Sequence, residues 1–387
     1  MTDHSDPASR FSDALEQASS WHRQGRLQEA LAVYDRILSL EPECVEALSD
    51  RGFIQQELRR YSEALASYDK AISICPDYAE AQFNKSRLKL LLGRYAEGWS
   101  LYEWRWKVDK YKIYFKDFKQ PLWLGDQPIA GRTILLHAEQ GFGDVIQFVR
   151  YVAMVEELGA RVLLGVHPVL ISLMQSLHGA FTLGTKLDAL PAFELHCPLG
   201  SLPLAFKTEV DNIPTDIPYL FADPQRRDIW RVRLGNKLRP RVGLAWSGSA
   251  AHSNDRNRSM ALRTLEPLLR LNFEFHSLQK EIRAEDQAAL AGFSEILRHE
   301  SELLDFADTA ALVAEMDLVI SVDTSVAHLA GALGKAVWIL LPYAPDYRWM
   351  IERSDSPWYP TARLFRQSAI GDWGRVIETV CSELQRS

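Results

Sequence analysis

A 34-residue period in the first quarter of the chain constrains the fold more than any other feature. Ala30, Ala64 and Gly98 share one register of that period, and Tyr34, Tyr68 and Tyr102 share another. So do Leu27, Tyr61 and Tyr95, and likewise Leu31, Leu65 and Trp99. Pro42 and Pro76 fall at the same point of two successive repeats, just after helices predicted to end near Leu40 and Ile74. A small residue followed four positions later by an aromatic lets two antiparallel helices approach closely and interlock. One such pair cannot bury its apolar face alone. The period therefore predicts stacked helix pairs from Phe11 to about Trp106.

The pattern, with Gly or Arg at positions 25 and 59, Leu or Tyr two residues later and the proline after the second helix, resembles the tetratricopeptide (TPR) repeat. Such an array offers a concave groove for a peptide or partner protein. The plainer alternative is an array that only packs on the domain that follows. The third repeat is rich in aromatics (Trp99, Tyr102, Trp104, Trp106), which suggests docking against something larger, taken as the rest of the chain.

Among 387 residues, 47% are hydrophobic and 25% charged, as in an ordinary globular protein. A net charge of −7 argues against general binding to nucleic acid or a membrane surface, since both need a basic face. Arg226, Arg227, Arg231 and Arg233 form a local basic run that reads first as a solvated helix face and second as a polyanion site. Cys44, Cys75, Cys197 and Cys381 lie far apart without metal-ligand spacing, which fits thiols in a reducing compartment. Met1 to Ser20 lacks the apolar core of a secretory signal. The longest apolar run, Ala336 to Leu341, is too short to span a bilayer. A cytoplasmic location is the simplest expectation.

Residues 107–132 change character, with Pro121, Gly125, Pro128 and Gly131 among lysines and aromatics including Tyr111, Tyr114, Phe115, Phe118 and Trp123. They read as an ordered connecting segment. From Thr133 strands and helices alternate. Predicted strands are 134–137, 161–166, 242–246, 273–278, 295–297, 318–322 and 336–341; predicted helices are 144–158, 262–270, 309–315, 326–333 and an amphipathic last helix from Trp373 to Leu384. Such alternation implies parallel sheets with right-handed crossovers. A Pro- and Arg-rich break, Pro214 to Pro240, divides them into two Rossmann-like domains, 133–225 and 240–387, facing each other across a cleft. The fold class is thus α plus α/β: a TPR solenoid followed by two Rossmann-like domains.

Ligands of open parallel sheets bind beyond the carboxyl ends of the strands, and three loops combine that place with polar chemistry. The first is Glu139-Gln140-Gly141-Phe142-Gly143-Asp144, which is not a dinucleotide fingerprint because Ile146 stands where the third glycine belongs. Gln140, Gly141 and Gly143 allow close backbone approach to a ligand, and Asp144 is either a helix N-cap or a carboxylate held at the cleft. The second is Trp246-Ser247-Gly248-Ser249 with the polar stretch His252 to Met260. There Ser247 and Ser249 can donate to phosphate oxygens, and Arg256 or Arg258 supplies charge, unless the loop is merely solvated. The third is Asp323-Thr324-Ser325 with His328, at the end of a β-branched strand and the start of an Ala-rich helix, where open N–H groups suit an anion and simple capping is the alternative. Gln279-Lys280-Glu281 lies where a ribose or base would reach. No Asp-x-Asp occurs, so a metal-bound diphosphate is not expected.

With these residues in view, Thr133 to Leu384 resembles the GT-B glycosyltransferases of the heptosyltransferase type (glycosyltransferase family 9). The resemblance rests on Asp323-Thr324-Ser325-x-x-His328-Leu329-x-x-Ala332-Leu333-Gly334, with Gly143-Asp144 and Trp246-Ser247 in support. It implies that the Asp323–His328 loop binds the diphosphate and sugar of the donor and that Asp144 is the general base. It further implies that Arg258 or Arg256 takes the place of the family's Lys beside the diphosphate. The first Rossmann-like domain would then be the acceptor side and the second the nucleotide-sugar side. Fused TPR arrays of this kind look like bacterial TPR glycosyltransferases, some of which modify proteins.

The expectation is an inverting, metal-independent sugar transfer from a nucleotide diphosphate to an acceptor hydroxyl. No cofactor is needed beyond the donor substrate, and the acceptor, a protein or glycan, would be recruited by the TPR groove. An interaction module with an inactive nucleotide-sugar-binding domain is the principal alternative. A GT-B epimerase or phosphorylase comes third.

Overall fold

The computed structural model describes residues 11–114, 117–185 and 191–386. Phe115 of the connecting segment, the residues before Phe11 and the final Ser387 lie outside that range. The chain divides into two units, the first comprising residues up to Phe115 together with Asp346–Ile351, and the second the remainder.

The first unit is three helix pairs: α1 (Ser12–Arg23) with α2 (Leu27–Leu40), α3 (Val45–Glu57) with α4 (Tyr61–Ile74), and α5 (Ala79–Leu91) with α6 (Tyr95–Tyr102). Ala30, Ala64, Tyr34, Tyr68 and Tyr102 are all buried, so the period in the sequence is the spacing of the interlocking faces. At the turn inside each pair, Gly25, Arg59 and Gly93 take left-handed backbone (φ 81°, 56° and 76°), which ends the first helix and starts the return. The third repeat also holds the downstream segment: Tyr347 packs edge-on against Trp99 at 5.8 Å, and Arg87 lies 3.5 Å from Asp346.

The second unit contains two parallel sheets. The first is built from β1 (Thr133–His137), β2 (Arg161–Gly165), β3 (Thr182–Gly184) and β4 (Leu195–Pro198) in the order β3-β2-β1-β4. Its crossover helix is α7 (Phe142–Phe148), continued through one 3₁₀ turn into α8 (Val152–Glu157). The connecting segment extends this sheet where Leu122 pairs with His196 beside the buried Trp123.

Between the sheets runs α9 (Pro224–Leu234), inside the stretch expected to be a break; Asp223 caps it by accepting from the N–H of Arg226. The basic run lies on this helix, with Arg226, Arg227 and Arg231 ion-paired and Arg233 over the ring of Trp230. Arg226 binds Asp305 and Asp308, while Arg227 and Arg231 share Glu315. Three of the four arginines thus anchor the helix through salt bridges.

The second sheet comprises β5 (Arg241–Ala245), β6 (Glu274–Ser277), β7 (Ile296–Leu297), β8 (Leu318–Val322), β9 (Val337–Leu341) and β10 (Ala362–Arg366), in the order β10-β9-β8-β5-β6-β7. Its helices are α10 (Ala284–Ala291), α11 (Phe306–Ala314), α12 (Ser325–Ala332) and α13 (Trp373–Leu384). The apolar stripe of α13, from Trp373 through Val376, Ile377 and Val380 to Leu384, is buried in the core with Val242, Phe275 and Leu340. Strands β3, β4 and β10 and helices α9 and α10 were not read from the sequence. The helix expected over 262–270 is a 3₁₀ turn followed by one α turn. Among the described residues no helix is long and apolar enough to cross a membrane.

Candidate functional site

Chain order locates the site before any side chain does. Starting at β5, the chain builds outward to β6 and β7, then returns to the other side of β5 to lay down β8, β9 and β10. Crossovers on the two sides of such a reversal lie on opposite faces, which leaves a crevice beyond the carboxyl ends of β5 and β8. The loops there are Trp246–Ser249 and Asp323–Thr324. The first sheet reverses between β1 and β4, and the loop after β1 carries Gln140, Gly141, Gly143 and Asp144.

In that first loop Gly141, not Asp144, is the N-cap of α7. Asp144 is the third helical residue, half-buried, with its carboxylate turned back so that a methyl added at Gly141 would stand 3.2 Å from Oδ2. A carboxylate in the first turn is favoured by the helix dipole. Phe142, partly exposed, lies 5.1 Å from the ring of His167 and 5.3 Å from that of Phe306, so it bridges the two sheets' loops.

Thr324 is the N-cap of α12 in extended backbone, but its hydroxyl makes no capping hydrogen bond. The N-cap side chain therefore does not cover the N–H groups of the first turn, which keep their partial positive charge. Ser325 opens the helix and is half-buried. His328, one turn on, is buried; its Nδ1 is 2.9 Å from the hydroxyl of Tyr359 and its Nε2 is 3.9 Å from Oδ1 of Asp323. The two helix starts meet here: a methyl at Gly143 would lie 2.7 Å from Cδ2 of His328. Glycine is required for that approach.

Gln279 is buried and bonded reciprocally to Ser247, its Nε2 donating to Oγ at 2.9 Å and its Oε1 accepting from the Ser247 N–H at 3.3 Å. It supports the loop after β5. Arg258 lies across Gly248 and donates from Nη1 to the carbonyl of Asp323 at 3.0 Å, which joins the loops after β5 and β8. Ser249 and Arg256 are exposed at the rim. Thus Gly143, Ser247, Arg258, Gln279, Asp323 and His328 form linked contacts, Asp144, Thr324 and Ser325 stand in the same helix starts, and Ser249 and Arg256 stand apart.

Four contributors were missed in the sequence. Tyr359 orients His328 and packs against Gly331. Arg150, from the first sheet's helix, donates to the carbonyl of Trp358 at 2.8 Å and lies over the ring of Tyr359. Asp255 and Arg283 brace the Gly248 turn. Asp255 sits inside the polar stretch already noticed and Arg283 four residues beyond Gln279, so loop position was the one available pointer to them. Among the described residues no cluster of three His, Cys, Asp or Glu side chains could hold a metal ion. A cavity of about 550 Å³ lined by Trp123, Ile129, Leu158 and Phe206 lies at the amino ends of β1 and β2, away from these loops.

A tetratricopeptide repeat family model matches residues 18–89, and the N-terminal helices are a TPR array. Protein FlbA of Caulobacter vibrioides is 26% identical over 292 residues, which cover 68% of this chain and 48% of FlbA. The chain thus spans about half the length of that curated relative. Among solved structures, the chain is similar to a glycosyl transferase family 9 protein from Veillonella parvula, at TM-score 0.49 and 10% identity over 68% of this chain and 100% of that one. It is also similar to the ADP-heptose lipopolysaccharide heptosyltransferase II of E. coli, at TM-score 0.43 and 11% identity over 66% of this chain and 99% of that one.

Proposed function

We propose that this protein is a metal-independent, inverting glycosyltransferase that moves a sugar from a nucleotide diphosphate to an acceptor hydroxyl. The observation that carries the reading is the meeting of two helix starts across the sheets, with Gly143 against His328. Asp144, which follows Gly143 in the chain, would then serve a diphosphate held at the N-terminus of α12. Arg258, the hydroxyl of Ser247 and the first-turn N–H groups of α12 would bind the donor's phosphates and stabilise the charge that builds as they leave. Asp144 would take the proton of the acceptor hydroxyl as its oxygen attacks the anomeric carbon. The bond from that carbon to the diphosphate breaks, and the diphosphate departs with the electron pair. Attack opposite the leaving group inverts the anomeric centre. Asp323, Thr324, Ser325 and His328 would line the sugar and its phosphates, and the TPR groove would recruit the acceptor.

The test is incubation of the full chain with a panel of nucleotide sugars and a bacterial protein extract, following free nucleotide diphosphate and labelled product. Acceptor-dependent release, abolished in Asp144→Asn while donor binding persists, is the expected result. Failure of every nucleotide sugar and every nucleotide diphosphate to bind would remove the reading. Full turnover by Asp144→Asn would remove Asp144 as the base.

A further inference from the structure

Asp255 has no place in the scheme above, yet it is the centre of the network behind the proposed phosphate-binding turn. Its carboxylate is buried and accepts from Ser259 Oγ at 2.7 Å on one oxygen and from Arg283 Nη2 on the other. The same Nη2 donates to the carbonyl of Gly248 at 3.1 Å and to Ser259 Oγ at 3.1 Å. Ser259 Oγ in turn accepts from the N–H of Gly248 at 3.0 Å. Both polar backbone atoms of Gly248 are therefore held by this group. Arg258 completes it: its Nε is 3.7 Å from Oδ1 of Asp255, its guanidinium packs on Gly248 and its Nη1 reaches the loop after β8. Arg283 comes from the loop after β6, so three strand ends are braced around one buried carboxylate.

We propose that Asp255 and Arg283 are positioning residues of the donor site: they hold the Gly248 turn and the Arg258 guanidinium in the arrangement that receives a nucleotide diphosphate. This rests on the reading given under the proposed function. A carboxylate close to a diphosphate site repels the ligand, so on charge alone its removal would strengthen binding. Its place between two guanidinium groups does the opposite by geometry. It keeps them together against their mutual repulsion and fixes the turn, so the ligand meets donors already in place.

Calorimetric titration of the full chain with ADP, GDP and UDP, and with the matching monophosphates, separates the two. Asp255→Asn and Arg283→Met should each weaken the preferred diphosphate by about tenfold while changing the monophosphate by less than about threefold, because only the diphosphate spans turn and guanidinium. Ser259→Ala keeps every charge and should move affinity the same way by about threefold. It decides the matter if the charge variants do not fold. Equal or tighter diphosphate binding by Asp255→Asn, or equal losses for both ligands, overturns the inference alone. A wild-type chain that binds no diphosphate overturns it together with the function on which it rests.

Discussion

The two parallel sheets reverse their strand order in the same manner but equip the reversal differently. At the first, a glycine-containing loop carries Glu139 and leads to Asp144 on the opening turn of a seven-residue helix. At the second, three loops are joined through Gln279 to Ser247, Arg283 to Gly248, and Arg258 to Asp323. Cross-linked loops suit a ligand of fixed shape and high charge, because its partners must stand ready before it arrives. Under the proposed function, the braced loops of the second sheet would hold the donor and the first-sheet loop would supply the base.

Variants that touch one side only should separate chemistry from donor binding. Asp144→Asn is expected to lower turnover by about 10²- to 10⁴-fold, the usual worth of a general base, with donor affinity within about twofold of wild type. A comparable loss in both quantities, from rapid kinetics and calorimetry, would erase the contrast between the sheets. Gly143→Ala tests the contact between them. Its methyl would stand 2.7 Å from the ring of His328, so the helix starts must part. Turnover should fall about 10²-fold, as for a misplacement near 1 Å, and donor affinity should fall too. Unchanged kinetics in this variant would mean that the two sides work independently. Arg258→Met should cost the diphosphate about 10- to 100-fold in affinity and lower turnover at saturating donor as well, because the same guanidinium would stabilise the departing charge. A fall confined to turnover would move Arg258 to the other side of the comparison.

What the sequence disclosed, and what it hid, follows the range of the interactions. The TPR array was legible because its contacts recur within one period, down to the ends of α2 at Leu40 and α4 at Ile74. Strands β5, β8 and β9 were legible as apolar runs buried in the middle of a sheet. Strand β3 has only three residues, and β10 places two arginines among its five residues at the sheet's edge, so neither shows such a run. Within the site, the loops were found because strand ends can be read. Which side chain turns inward could not be read. Arg256 and Arg258 lie two residues apart on one helical turn, and only the second faces Gly248. Asp144 invited an N-cap reading because Gly141, with no side chain to cap, carries no mark of that role. Tyr359 is 31 residues from His328 and meets it only through the fold.

Both sheets should contribute to the response to acid: burial lowers His196 in the first, and the second holds a coupled pair. His276 on β6 is hydrogen-bonded to His299 at 3.0 Å and to Glu274 at 2.8 Å, and Arg241 also donates to Glu274. Burial, reinforced by His276, pushes His299 down to about 4, and burial also lowers His276 against the pull of Glu274. Both values lie below the ordinary histidine value of about 6.5. As pH falls, the unfolded chain therefore takes up these protons first, and stability complete above about 6.5 is lost progressively as pH drops through about 4. Urea unfolding midpoints at pH 8, 6 and 5 should decline in the wild type. In His299→Gln, which keeps an amide in place of the imidazole but cannot titrate, they should decline less. Because the loop after β6 carries Gln279 and leads to Arg283, diphosphate affinity should fall over the same pH interval in the wild type and less in the variant. Parallel declines for both proteins would show that the acid sensitivity lies outside the second sheet.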